Sequence, residues 1–136
     1  MTAREANVFA CLVEAVVAPG APLPPLARTD AVAFLDRYLD ASPPLNRAGL
    51  RALLHALEVG PWAQRLGGRF RQLDPHRRAA YLERVERGRA GRAFQALEAL
   101  AKLAYYGDDG VLCRLGYDAD AVLARGRRLR REEGRW

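Results

Sequence analysis

Serine, lysine, histidine and cysteine are all scarce in this 136-residue sequence, with one, one, two and two copies. Each scarcity removes a class of chemistry. The single serine, Ser42, lies in the helix-breaking run "ASPPLN". It reads as a cap or turn residue, not as the nucleophile of a G-x-S-x-G elbow. His55 and His76 are far apart, and Cys11 and Cys113 are isolated in apolar runs. Such a set does not make a zinc site, and no C-x-x-C-H attaches a haem. The two cysteines are therefore expected to be small buried hydrophobes in a reducing compartment. The one lysine, Lys102, stands in neither "LGG" nor "GDDG", and neither run follows a strand, so no phosphate cradle is formed.

Long apolar runs are missing too. The longest, "VFACLVEAVVA" (Val8 to Ala18), is too short to cross a bilayer and is interrupted by Glu14. Ahead of it, Arg4 is offset by Glu5 and no twin arginine occurs, so no export signal is expected. No alternating apolar–polar stretch suggests a strand.

Half of the residues are hydrophobic and 28% are charged, which suits one folded domain with a real core. The net charge of +6 is unevenly placed. Residues 1–64 carry −1, residues 65–92 carry +6, residues 93–124 carry −3 and residues 125–136 carry +4. The basic middle and tail fit a solvated face, an acidic partner or nucleic acid. Aromatic residues are not interleaved with the arginines as a single-strand stacking platform requires, so nucleic acid is the less favoured partner.

Every long segment has helical periodicity. Val8, Phe9, Leu12, Val13, Val16 and Val17 form one apolar face, which the proline-rich "APGAPLPP" ends. Thr29 and Asp30 then offer an N-cap and a first-turn acid. Val32, Leu35, Tyr38 and Leu39 make a second stripe, and Leu50, Leu53, Leu54 and Leu57 a third. "VGPW" is expected to stop that third helix, leaving Trp62 in the connector "RLGGRFRQL". Asp74 and Pro75 open a fourth helix, with Leu82 and Val85 inward. Gly88 to Gly91 breaks it. From about Arg92 to Tyr106 the pattern is apolar on several sides, including Leu103, as befits a central helix. Asp118 and Asp120 suit the cap and first turn of a last helix. The spacing predicts an all-α bundle of five to seven helices with Pro/Gly-rich connectors. Residues 1–124 form the domain and residues 125–136 a basic, frayed or partner-ordered C-terminal extension.

The stretch "LAYYGDDGVLCRLGYD" (Leu103 to Asp118) gathers tyrosines, acids and a cysteine. Asp108, Asp109, Asp118 and Asp120 do not match a Ca²⁺ loop, and helix capping accounts for most of them. No catalytic, cofactor-binding or metal-binding residue is assigned. Trp62, Phe70, Tyr105, Tyr106, Tyr117 and Trp136 exceed what one small bundle need bury, and aromatics of this kind are enriched at interfaces. Plain core packing is the competing account of the tyrosines.

An apolar helix running into "L-A-Y-Y-x-D", a short turn and "L-G-Y-D" resembles the small-subunit (subunit 3) family of gluconate 2-dehydrogenase. It also looks like the helical region ahead of the flavin domain in some long-chain alcohol oxidases. The matching residues are Leu103, Ala104, Tyr105, Tyr106, Asp108 or Asp109, Leu115, Gly116, Tyr117 and Asp118. "FLDRYL" and "LDPHRRAAYLE" fit the family's helix order loosely. The resemblance implies a non-catalytic accessory subunit. It would bind and stabilise a large FAD-dependent dehydrogenase or oxidase of the glucose–methanol–choline class, acting on alcohols or sugars. FAD would reside in the partner and no cofactor in this chain. The implied interface takes in Trp62, Tyr105, Tyr106, Asp109, Gly116 and Tyr117. Relatives often carry a twin-arginine signal; without one a cytoplasmic complex is expected, or a periplasmic one if the partner carries the signal. Competing expectations are a basic helical nucleic-acid-binding or scaffold module, and a small enzyme using Asp109 or His55.

Overall fold

The structure is a computed structural model and describes residues 1–134. It is all-α, with seven helices and no strand among the described residues. They are α1 (Ala3–Val17), α2 (Ala31–Ala41), α3 (Pro44–Ala63), α4 (Pro75–Arg87), α5 (Gly91–Tyr106), α6 (Asp109–Arg114) and α7 (Ala119–Glu133). Single 3₁₀ turns, Leu26–Arg28 and Phe70–Gln72, punctuate two of the connectors. No described helix is long and apolar enough to cross a membrane.

Helix α1 starts on a reciprocal cap. The Glu5 N–H donates to Thr2 Oγ1 at 3.2 Å, and the Thr2 N–H donates to Glu5 Oε2 at 2.7 Å. Two of the donors a helix start leaves free are thereby satisfied. Val8, Phe9, Leu12 and Val13 form the buried face, each contributing about 1.5–3 kcal/mol through removal of apolar surface from water. That face lies on α5, which also packs against α2, α3, α4 and α6. Phe94, Leu97, Leu100, Ala101, Ala104 and Tyr105 of α5 are buried, so the helix that is apolar on several sides is the central one. Leu103 departs from the expectation: it points outward and is 56% exposed.

Helix α3 does not stop at "VGPW". It continues through Pro61 to Ala63 and carries Trp62 on its last turn. Pro61 has no N–H to give the Leu57 carbonyl, which in a helix interior costs about 3 kcal/mol. Here it stands close to the helix end, its ring is buried, and its own carbonyl accepts the Leu66 N–H at 2.9 Å. The Arg65 N–H donates to the Trp62 carbonyl at 3.0 Å, completing a Schellman-type ending. The left-handed position of that ending, where glycine is usual, is held by Arg65 with φ 56°. Gly60, one turn earlier, admits the ring of Tyr81 from α4. A Cβ at position 60 would overlap the Tyr81 hydroxyl.

Helix α4 begins as expected, with Asp74 accepting the Arg77 N–H at 2.9 Å and Pro75 in the first turn. Helix α2 begins differently. Thr29 turns its hydroxyl back to the Leu26 carbonyl, and Asp30 makes no side-chain cap. The Asp30 N–H is taken instead by Asp108, far along the chain, at 2.8 Å.

Helix α7 is not buried in the bundle. From Asp120 to Glu133 every residue is exposed except half-buried Gly126. The break falls at Gly116, in the left-handed region with φ 73°, and helix continues through the expected boundary at residue 124. Residues 125–133 of the C-terminal extension are helical. Arg135 and Trp136, the end of that extension, lie outside the described residues.

Candidate functional site

The stretch from Leu103 to Asp118 forms the end of α5, all of α6 and the entry to α7. Gly107 caps α5, and its N–H bonds the Leu103 carbonyl at 2.9 Å. Asp108 then does two jobs. Its Oδ1 accepts the N–H groups of Gly110 and Val111, at 2.9 and 3.2 Å, and starts α6; its Oδ2 takes the Asp30 N–H of α2. Asp118 accepts the Ala121 N–H at 3.0 Å and starts α7. Asp109 and Asp120 sit in the first turns, where the helix dipole favours an acid. Gly110 lies inside α6.

The tyrosines of this stretch divide. Tyr105 is wholly buried, and its hydroxyl donates to the Pro24 carbonyl at 2.6 Å, pinning the proline-rich connector to α5. Burial raises the pKa of its phenol, assisted by neighbouring Tyr106 and Asp108. A residue so placed cannot itself meet a partner, and its inclusion in an interface is corrected: Tyr105 is core. Tyr106 meets it edge-on, ring centroids 5.3 Å apart, and is 38% exposed. Tyr117 is 49% exposed, with Leu115 and Leu103 also outward. Asp109, Gly116 and Tyr117 come together around one shallow depression of about 460 Å³, with Leu112, Cys113 and Asp118. Trp62 lines no part of it; it stands 70% exposed at the end of α3.

Cys113 is exposed, against the expectation of burial, because α6 is a short outer helix that buries only Val111. Cys11 is half-buried, and desolvation raises its pKa, so it is a poor nucleophile. No disulfide forms among the described residues. His55 and His76 are both exposed. No group of His, Cys, Asp and Glu that could hold a metal occurs among the described residues.

Sequence reasoning missed a buried charge cluster. Glu58 is 1% exposed on the apolar face of α3. Arg71 Nε lies 3.0 Å from its Oε1, Arg4 Nη2 lies 3.7 Å away, and the Arg71 N–H donates to Oε2 at 3.4 Å. Nearby, Arg78 spreads over the Phe70 ring at 5.5 Å from its centroid and donates to the Leu73 carbonyl at 3.1 Å. The signal lay in spacing, since Glu58 falls four residues after Leu54, on the apolar stripe. A buried carboxylate needs paired cations, and the arginines arrive from α1 and the turn after α3. This ties α1 to α3 and is a structural ion cluster.

Fold and site define an all-α helical module with a depression beside the α6–α7 junction that Tyr117 lines. Comparison with protein-family models, with curated proteins and with solved structures finds no match to this chain.

Proposed function

We propose that this chain is a non-catalytic accessory subunit that binds and stabilises a large FAD-dependent oxidoreductase of the glucose–methanol–choline class, acting on alcohols or sugars. The reading rests on the resemblance of "L-A-Y-Y-x-D … L-G-Y-D". One observation supports it: the motif's tyrosines split into an inner and an outer set. Tyr105 latches the fold, while Tyr106, packed edge-on against it, and Tyr117 remain partly exposed in the isolated chain. Partly exposed aromatics beside aliphatic Leu103 and Leu115 have the make-up of an interface core, where such side chains dominate binding energy. Asp109 and Asp118 give the neighbouring depression an acidic rim, suited to basic groups on a partner. FAD belongs to the partner in this reading, and the proposed setting is the cytoplasm, with the periplasm as the alternative.

Co-expression with a flavoprotein of that class from the same genome, followed by size exclusion, tests the reading. Co-elution with raised flavoprotein yield is the expected result. Tyr106→Ala with Tyr117→Ala should weaken the complex at least tenfold, about 1.4 kcal/mol, and by more than it lowers the stability of the subunit. Separate elution, with flavoprotein yield and activity indifferent to this chain, would sink the proposal.

A further inference from the structure

A trough crosses the surface between α3, α4 and the start of α5. Leu53, Leu57, Val85, Phe94 and Leu97 line it, and it encloses about 400 Å³. Small-molecule sites run from about 300 to 1,000 Å³ and are mostly apolar with a few placed polar groups. Tyr81 and Arg84 bound the trough on one side. The same two residues bound a second recess of about 360 Å³, walled by Arg65, Leu66 and Arg77. An apolar slot thus opens beside a recess ringed by three guanidiniums, and the two share a wall.

Three details say that this junction is built. Arg65 and Arg84 have no acidic partner within ion-pair distance among the described residues, while Arg77 pairs only with the exposed Asp74. Tyr81, 4% exposed, stands in the wall common to both recesses, and Gly60 leaves the space that its hydroxyl takes. Arg65 occupies a left-handed position at which glycine would be less strained, so the backbone gives no reason for an arginine there.

We propose that the joined recesses bind a single-chain amphiphile with an anionic headgroup, an alkyl carboxylate or an alkyl phosphate. The chain lies in the trough between α3 and α5, and the head sits among Arg65, Arg77 and Arg84. Guanidiniums bind both heads through paired, charge-assisted hydrogen bonds. This inference stands apart from the flavoprotein reading and uses none of its residues.

Calorimetric titration of the full chain with decanoate, decyl phosphate, decanol and decyltrimethylammonium tests it. At least one anion should bind below the concentration at which it self-associates, and the tighter of the two names the headgroup. The cation should bind at least tenfold more weakly, the ratio a single charge-assisted contact supplies. Arg84→Gln combined with Arg65→Gly should lower anion affinity about tenfold or more and leave decanol unchanged. Ala56→Trp, an exposed position on the trough, should block every chain. Circular dichroism melting verifies that both variants are folded. Equal affinity for cation and anion, no binding of either anion, or anion affinity unchanged in both variants would overturn the proposal.

Discussion

At the scale of single residues, Gly60 and Arg65 make opposite demands on the end of α3. Gly60 is there for space. Gly60→Ala should destabilise the fold by about 1–3 kcal/mol, the usual cost of forcing atoms into a filled site. In a Tyr81→Phe background, which removes the overlapping oxygen, most of that loss should vanish; urea unfolding of the four proteins gives the coupling. Arg65→Gly should instead stabilise by about 1 kcal/mol, because an L-residue gives up a left-handed conformation. Glu5 sets an acid limit. Burial works to raise its pKa, but the Thr2 N–H and the Arg51 guanidinium, 2.7 Å away, outweigh it and hold it below its ordinary value of 4.5. A depressed folded-state value means that the contribution is complete above 4.5 and is lost as pH falls through the lower, folded value. Unfolding free energy should therefore drop more between pH 7 and acid in the wild type than in Glu5→Gln. Equal drops would remove Glu5 from the account. Caps such as Asp74 and Asp118 were legible in the sequence because a cap needs only its own next three residues. Glu58, Tyr81 and the second bond of Asp108 were not, because their partners lie elsewhere in the chain.

At the scale of elements, periodicity located all the long helices, and α5 was recognisable as central from its breadth of apolar positions. What periodicity could not supply was the fate of Pro61. A proline reads as a stop when only the lost N–H is counted; its buried ring and its carbonyl bond to Leu66 are tertiary and terminal facts. Helix α7 shows the converse. Its start at Ala119, capped by Asp118, was legible, but composition drew the boundary of a basic extension at residue 125, inside the helix. Since its side chains from Asp120 onward contribute little to the core, a chain ending at Tyr117 should keep its melting temperature within a few degrees, as scanning calorimetry would show. A large fall would mean that α7 packs on the bundle in solution. The candidate site was legible as a segment, not as a surface: the sequence grouped Tyr105, Tyr106 and Tyr117, and only packing separates the first from the others.

At the scale of the whole molecule, the fold is closed by contacts between distant parts of the chain. Helix α1 lies on α5, the Pro24 carbonyl receives the Tyr105 hydroxyl, and the start of α2 is held by Asp108. These bonds have a consequence during synthesis. A ribosome that has released only α1 to α4 has delivered Phe9, Leu12 and Leu35 without the helix that covers them. The half-made chain must hold its apolar faces open until α5 emerges, so it is in that interval, not after release, that proteases and chaperones have their access to it.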